Sequence, residues 1–240
     1  MHLFIILKEI TMKRSQINAI IKDFENMLKE YRFALPPFLS FTPEEWKEKG
    51  HEYDEIRDNA LGWDITDYGE GNFAVKGLSL ITIRNGNINN PKYTKTYAEK
   101  IMMLYPGQIS PNHFHWNKME DIINRGGGDL IFHLWNANRE NEGELLDTDV
   151  EINRDGRKYM VPAGSDIILH PGESLFLYPY YYHEFIIPEN GSKVLIGEVS
   201  MCNDDNTDNR FYEPLGRFPT IEEDEPPYRL LCNEYPPAKD

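Results

Sequence analysis

The sequence predicts a mainly β protein, an antiparallel sandwich or barrel with α-helices at its amino-terminal end. Beyond residue 60, short apolar runs alternate with turn residues and helical patterns are scarce. Ahead of that region, one long stripe of apolar residues recurs at helical spacing. The 240 residues show no internal repeat and no low-complexity linker, so we expect one domain. Its expected parts are a possible extension at 1–11, helices at 13–50, a barrel at about 60–201 and a wrapping tail at 203–240, with 12–240 forming the domain.

The first predicted element is an amphipathic helix that begins near Lys13. Its apolar side chains lie on one stripe at spacings of three and four residues, namely Ile17, Ile20, Ile21, Phe24, Met27, Leu28 and Tyr31. Such a stripe must pack on another surface, most simply a sheet. Because Met12 directly precedes this helix, residues 1–11 are either an upstream start or part of the structure.

A second, short helix is predicted from Thr42. Thr42 supplies an N-cap, Pro43 suits the first helical position and Glu45 completes a capping box. We expect this helix to close near Gly50.

Nine short segments are predicted as strands. They are 72–84, 97–105, 112–116, 129–136, 148–153, 157–161, 173–178, 183–188 and 193–201. The run Arg154-Asp155-Gly156-Arg157 is a tight hairpin signal between two of them. The acidic, proline-containing tail carries too many aromatic and aliphatic residues for a disordered segment, so we expect it to wrap across the sheet or to cover a site.

The overall charge restricts the class of partner. Lys plus Arg number 25 and Asp plus Glu number 40, which gives a formal charge of −15. Clustered cations are needed for nucleic acid and for anionic membrane surfaces, so we expect neither partner and favour a small neutral substrate. Two cysteines, Cys202 and Cys232, form no disulfide framework or CxxC pattern, which predicts a reduced, cytoplasmic setting without a membrane span.

Three histidines and a glutamate form a candidate metal site. His113 and His115 are two residues apart, so in a strand both side chains point to one face. Glu120 needs a bend or bulge between Trp116 and Met119 to return to that face, and His183 follows much later. Four such ligands suit Zn, Mn, Fe, Co or Ni and leave positions open, as a catalytic ion requires. Alternatively, the HxH pair and Glu120 are ordinary surface residues.

The spacing around the histidine pair resembles the first motif of the cupin family. Gly107, His113, His115, Glu120 and Gly127 lie at the motif's intervals. In a likeness to the second motif, Gly172 and Pro179 precede His183, although no glycine follows Pro179 at the expected place and His183 comes one residue early. This resemblance implies a jelly-roll barrel (a double-stranded β-helix), with the helices packed on it.

Longer segments are similar to the D-lyxose isomerase family of cupin sugar isomerases. They are LPPFLSFTPEEW, YAEKIMMLYPGQISPNHFHWNKMEDIINRGGG and NRFYEPLGRFPTIEEDEP. The resemblance implies that His113, His115, Glu120 and His183 hold a divalent metal, usually manganese. It also implies interconversion of D-lyxose and D-xylulose, with weaker action on D-mannose and D-fructose. Lys100, Glu213 and Arg217 match the family's lysine and tail motif, and a homodimer is expected.

The residues themselves indicate how such a reaction would run. Moving a proton between C1 and C2 through a cis-enediol needs a carboxylate, and we nominate Glu213, with Glu198 or a water on the metal as alternatives. Lys100 shares a strand face with Met102 and Leu104, so it is either an edge lysine or a cation aimed into the barrel. Together with Arg217, it would orient or neutralise sugar oxygens.

Three other functions fit the same ligand set. A cupin dioxygenase would use Fe(II) and consume oxygen. A phosphosugar isomerase would need a basic phosphate cradle, against which the charge of −15 weighs. A non-catalytic sugar-binding cupin would bind sugar without turnover.

Overall fold

A computed structural model describes residues 11–141, 143–205 and 207–240. Except for Thr11, the predicted extension at 1–11 lies outside the described residues. The helices are α1 (Arg14–Glu30), α2 (Pro43–Trp46) and α3 (Asp54–Asp58), with 3₁₀ turns at Pro37–Ser40 and His51–Tyr53. Among the described residues, every helix is too short or too polar to cross a bilayer.

In the described part of the chain, sixteen strands make up most of the regular structure. They are β1 (Met12–Lys13), β2 (Gly62–Thr66), β3 (Leu78–Arg84), β4 (Tyr97–Leu104), β5 (Ile109–His115), β6 (Glu120–Gly126), β7 (Leu130–Ala137), β8 (Leu145–Leu146), β9 (Val150–Arg154), β10 (Arg157–Val161), β11 (Ile167–Leu169), β12 (Ser174–Leu177), β13 (Tyr181–Ile186), β14 (Val194–Met201), β15 (Asn209–Phe211) and β16 (Ile221–Glu222).

Two antiparallel sheets enclose the main core. One has the strand order β10-β9-β12-β6-β14-β4-β3-β2, and the other has the order β11-β7-β13-β5-β15 with β8 beside β7. Apolar side chains from the inner faces of both sheets form one buried cluster that includes Leu104, Leu130, Phe132, Leu175 and Ile196. The predicted mainly β jelly-roll barrel with amino-terminal helices packed on it is therefore confirmed.

Helix α1 packs on the outer face of the larger sheet. Its stripe from Ile17 to Leu28 is buried, and Phe24 meets Trp63 edge to face with ring centroids 5.8 Å apart. Each fully buried side chain of this kind contributes roughly 1.5–3 kcal/mol relative to exposure. Tyr31 differs from its predicted place on the stripe, because α1 ends at Glu30 and the tyrosine side chain is exposed.

Helix α2 begins as predicted and ends early. The Thr42 side chain accepts from the Glu45 amide, and the Glu45 carboxylate accepts from the Thr42 amide, which completes the capping box. The helix ends at Trp46 rather than near Gly50, since the following residues form turns that lead into a 3₁₀ segment.

The strand predictions missed some elements and shifted others. Strand β6 was missed because its inward positions include Glu120 and Asn124, two buried polar residues that break the alternation of apolar side chains. The segment predicted at 183–188 begins two residues earlier, at Tyr181. The hairpin signal is confirmed: β9 and β10 pair around Asp155 (φ 50°) and Gly156 (φ 82°), the left-handed pair that a tight hairpin requires.

The tail contributes one strand to the barrel and a second strand that pairs just before helix α1. Strand β15 pairs antiparallel with β5, which places Phe211 opposite His113. Strand β16 pairs parallel with β1, and Arg14 at the start of α1 forms ion pairs with Glu223 and Glu234. The tail therefore both closes one side of the barrel and fastens the amino-terminal helix.

Candidate metal and active site

Three histidines converge inside the barrel. His113 and His115 come from β5, and His183 comes from the neighbouring strand β13, directly opposite His113 in register. One nitrogen from each ring lies within 4.8 Å of the other two. The HxH prediction is correct in its geometry, and the sheet register brings in the distant third histidine.

Glu120 reaches the histidines by a different route from the one predicted. It does not return along a bent strand: β5 ends at His115, a turn crosses to the other sheet, and Glu120 begins β6. Its Oε1 lies 3.3 Å from Nε2 of both His115 and His183. The carboxylate therefore faces the histidines from the opposite wall of the barrel.

Backbone carbonyls fix the orientation of two imidazoles. Nδ1 of His113 donates to the carbonyl oxygen of Pro111 (2.8 Å), and Nδ1 of His183 donates to that of Tyr181 (2.9 Å). A carbonyl only accepts, so both Nδ1 atoms carry the proton and each Nε2 is left as a lone-pair donor, the usual arrangement of histidine ligands.

The imidazole of His115 has unsatisfied hydrogen-bonding atoms. Both of its ring nitrogens are buried without hydrogen-bond geometry to any described residue. An unsatisfied buried polar atom costs about 1–3 kcal/mol, so a ligand that accepts this lone pair would be favoured.

Burial and charge set the protonation states that a metal site requires. Burial, with the neighbouring His183 and His115, holds the pKa of His113 well below its ordinary value and keeps the ring neutral. Burial alone would raise the pKa of Glu120, but the neighbouring Lys118 ammonium holds it well below its usual range. Neutral imidazoles and an ionised carboxylate are the forms that bind a divalent cation.

The histidines line a cavity with about 590 Å³ of empty space, including its open mouth. Beside them stands a buried polar cluster: Lys100 Nζ lies 2.6 Å from Asn203 Oδ1 and 3.4 Å from Glu198 Oε1. The inward position of Lys100 agrees with one of its two sequence interpretations. Lys118 Nζ adds contacts of 2.7 Å to Glu120 Oε2 and 3.0 Å to Glu198 Oε1.

Arg217 also reaches this cavity from the tail. Its guanidinium pairs with Asp64 and with Asp205 Oδ2, the latter at 2.8 Å. Burial alone would raise the pKa of Asp205, but the charges of Lys100 and Arg217 hold it well below its ordinary value. The charges of Arg217 and Lys100 thus both stabilise the ionised form of Asp205.

Glu213 lies elsewhere. Its side chain is 71% exposed, and its carboxylate sits 3.6 Å from Lys76 Nζ in an outer groove. It is absent from the lining of the histidine cavity. Of the predicted site residues, the structure therefore brings together His113, His115, Glu120, His183, Lys100 and Arg217, and leaves Glu213 outside.

Two site residues were missed from the sequence. Lys118 was not among the predicted site residues, although a lysine between the candidate ligands His115 and Glu120 is a usable signal. Asp205 lies in a tail full of acidic residues, where nothing in the sequence distinguishes it.

The departures from the second cupin motif have a structural explanation. Tyr180, which follows Pro179 where the motif has glycine, adopts a left-handed backbone (φ 64°). This costs roughly 1–2 kcal/mol for a residue with a side chain. Its ring stacks on Phe114 (5.2 Å) beneath Arg139 (4.3 Å), contacts that offset the cost and leave His183 in place.

The donor set fits a divalent cation on three grounds. Three lone pairs converge, the buried His115 imidazole makes no hydrogen bond within the described part of the chain, and the surrounding charges leave room for a cation. The cationic groups are Lys100, Lys118 and Arg217, and the anionic groups are Glu120, Glu198, Asp205 and Asp64, so anions exceed cations by one. Imidazole and carboxylate together suit first-row transition ions.

A jelly-roll barrel that carries three converging histidines and a glutamate in its cavity defines a cupin-type protein. The model of the D-lyxose isomerase family matches residues 12–235. The chain therefore belongs to the D-lyxose isomerase family, and it is a sugar isomerase.

Relatives of known activity agree with this assignment. The chain is 48% identical to the D-lyxose/D-mannose isomerase of Escherichia coli O157:H7 over 225 residues, which cover 93% of this chain and 98% of that one. It is 47% identical to the protein of the same name from Serratia proteamaculans, with the same coverage. A D-lyxose ketol-isomerase of Cohnella laeviribosi is 28% identical over 168 residues, 68% of this chain and 82% of the relative.

Solved structures share the fold. The L-ribose isomerase of Cellulomonas parahominis, solved with L-ribose, superposes with a TM-score of 0.61 over 90% of this chain and 100% of that one, at 13% identity. The L-ribose isomerase of Acinetobacter sp. DL28 gives a TM-score of 0.60 over 89% and 99%, at 13% identity.

Proposed function

We propose that this protein is a divalent-metal-dependent aldose–ketose isomerase that interconverts D-lyxose and D-xylulose, and D-mannose and D-fructose. One observation carries the proposal: the three imidazoles and Glu120 converge in a cavity that also holds Glu198 and Lys100. The relatives at 47–48% identity, named for D-lyxose and D-mannose, support the choice of sugars.

His113, His115, His183 and Glu120 would hold the ion. Manganese is the first choice by family resemblance, with Zn, Co, Fe and Ni also compatible with the ligands. A divalent ion there would polarise the sugar carbonyl and stabilise the negative charge that develops on the enediolate.

Glu198 replaces Glu213 as the proposed proton carrier. Lys118, Ser200 and Lys100 all contact its Oε1, and no described donor bonds its Oε2. The free oxygen belongs to a buried carboxylate that lines the cavity, so it can take a proton from one sugar carbon and return it to the next. Glu213 has no comparable access, because its exposed carboxylate faces Lys76.

Lys100 and Arg217 would orient the substrate oxygens. Lys100 is held by Asn203 and Glu198, which leaves one ammonium proton for a hydroxyl or a developing oxyanion. Arg217 is fixed between Asp64 and Asp205 and presents its remaining N–H groups at the cavity wall.

The charges favour a neutral sugar over a phosphorylated one. Each cation of the cavity is already paired with carboxylates, so a phosphate would meet no free positive charge. No observation favours the dioxygenase or the non-catalytic binding protein.

Three further features complete the proposal. We expect residues 12–240 to act as one domain, the protein to be a homodimer, and its setting to be cytoplasmic.

A substrate panel tests the function. Metal-stripped protein would be supplied with Mn²⁺, Co²⁺, Zn²⁺, Fe²⁺ or Ni²⁺ and offered D-lyxose, D-mannose, L-ribose and ribose 5-phosphate, with ketose formation and oxygen uptake measured. We expect ketose from D-lyxose and D-mannose without oxygen uptake. Oxygen consumption, or turnover of the phosphosugar alone, would refute the proposal.

A further inference from the structure

Lys118 is a buried cation at the centre of the site. It lies on the turn between β5 and β6, two residues before Glu120, and only 3% of its side chain is exposed. Burying an ammonium is costly unless acceptors surround it. The contacts of the Lys118 ammonium therefore indicate the role of this side chain.

Three acceptors surround the Lys118 ammonium. They are Glu120 Oε2 at 2.7 Å, Glu198 Oε1 at 3.0 Å and Asn203 Oδ1 at 3.4 Å. An ammonium has three protons, so none is left over for a substrate. Lys100 differs, since two acceptors among the described residues contact its Nζ.

The backbone at this position is also fixed. Asp208 in the tail accepts from the Lys118 amide (2.9 Å) and from the Asn117 amide (2.8 Å). These two hydrogen bonds hold the backbone of the turn in place, and the Lys118 side chain points from it into the cavity.

The two oxygens of Glu120 consequently have different partners. Lys118 holds Oε2, while Oε1 points at Nε2 of His115 and His183 at 3.3 Å each. A carboxylate held this way offers one oxygen to an ion instead of two. A second bound oxygen would occupy a position that a sugar hydroxyl needs.

We propose that Lys118 is a positioning residue that restricts Glu120 to a single oxygen toward the metal and ties this ligand to Glu198. Two positions then stay open for the two oxygens of the sugar, and the proton carrier stays at a fixed distance from the ion's ligand. This inference rests on the proposed function for its catalytic consequence, but not for its effect on Glu120.

The test compares Mn²⁺-loaded wild-type protein with Lys118→Met. Proton relaxation measurements count the waters that exchange from the ion, and steady-state kinetics give kcat and KM with D-lyxose. In Lys118→Met, Glu120 is free to use both oxygens, so we expect the water count to fall by about one. We also expect kcat to fall by about 10²-fold, with KM changing much less.

Two further variants separate positioning from other roles. Lys100→Met removes a lysine from the same cavity but leaves Glu120 Oε2 held, so its water count should match wild type. Lys118→Arg keeps the charge and is expected to retain the wild-type water count, and it serves as the test if Lys118→Met does not fold.

An unchanged water count in Lys118→Met would overturn the proposal, as would a fall in Lys118→Arg or complete loss of Mn²⁺ binding in Lys118→Met. Failure of the proposed function is distinguishable, because wild-type protein would then convert no aldose while the relaxation comparison still reports on Glu120.

Discussion

Glu198 and Lys100 stand directly opposite each other on the paired strands β14 and β4, with Lys100 Nζ 3.4 Å from Glu198 Oε1. Their separation is set by the register of a central part of the sheet. A functional pair on strands is held more rigidly than one on loops. The proposed proton carrier and its neighbouring cation therefore lie on paired strands of the barrel rather than on loops.

Glu198→Gln tests the proton carrier. The amide keeps the shape of the side chain but cannot accept the proton, so we expect kcat to fall by about 10²–10⁴-fold while bound metal is retained. Glu213→Gln is the matched control, since its carboxylate is exposed beside Lys76, and it should keep activity within about twofold. Ketose formation and metal content would be measured for both. The reverse ranking would restore Glu213 as the base.

Lys100→Met tests the substrate-facing cation. Methionine fills similar volume but offers no donor, so the transition state loses one charge-assisted hydrogen bond. We expect kcat/KM for D-lyxose to fall by about 10²-fold with the melting temperature lowered only modestly. Activity within twofold of wild type would show that Lys100 merely balances the charge of Glu198.

Arg14→Met tests how the tail fastens helix α1. The buried guanidinium bonds Glu223 at 2.6 and 2.9 Å and also pairs with Glu234. Removing it leaves the partly buried Glu234 carboxylate with the Leu231 amide as a donor but without its cation, so we expect a loss of roughly 2–3 kcal/mol in the free energy of unfolding. Lys13→Met, next to it, breaks an exposed pair with Glu222 (3.7 Å) and should cost less than about 0.5 kcal/mol. Equal losses in denaturant titrations would contradict this account.

Asp23→Asn tests a pH-dependent contact between α1 and the barrel. Burial alone would raise the pKa of Asp23, but hydrogen bonds from Lys193 and Tyr105 lower it below the ordinary value. A lowered folded pKa gives stability that is complete above the unfolded pKa of about 3.9 and is lost as the pH falls through the folded pKa. We expect wild type to exceed Asp23→Asn by less than about 1 kcal/mol at pH 7, because the side chain is partly exposed.

The measurement for Asp23 is unfolding free energy against pH for the two proteins. Other titrating groups cancel in the difference, which should shrink below about pH 4. A difference that grows on acidification would contradict the assigned sign.

Much of the fold could be predicted from the sequence, because the patterns that define these elements depend on residues a few positions apart. The stripe from Ile17 to Leu28, the capping box at Thr42 and the hairpin at Asp155-Gly156 all depend on neighbours within a few residues. The histidine pair was equally accessible, since alternation along one strand fixes a shared face. The distant His183 was a candidate ligand from the residues alone, and the likeness to the second cupin motif supported that prediction.

Other site features depend on pairing between distant segments. Glu120 reaches the histidines by crossing between sheets, and Asp205 becomes significant only when the tail folds beside Lys100 and Arg217. Glu213 was chosen by its motif, and the structure places it on the outer surface, one loop away from Arg217. Sequence spacing gives no information on which side of the barrel a tail residue faces.

Metal dependence at the three histidines is the central claim, and a metal titration tests it most directly. Metal-stripped wild-type protein would receive increasing equivalents of Mn²⁺ while conversion of D-lyxose to D-xylulose is followed. The His113→Ala/His183→Ala double variant and His133→Gln would be run beside it, since His133 pairs with Glu184 and Asp166 and is absent from the cavity lining. We predict that conversion rises to a plateau at about one ion per chain in wild type and His133→Gln, and is absent from the double variant. Full conversion by metal-free protein or by the double variant would contradict the account.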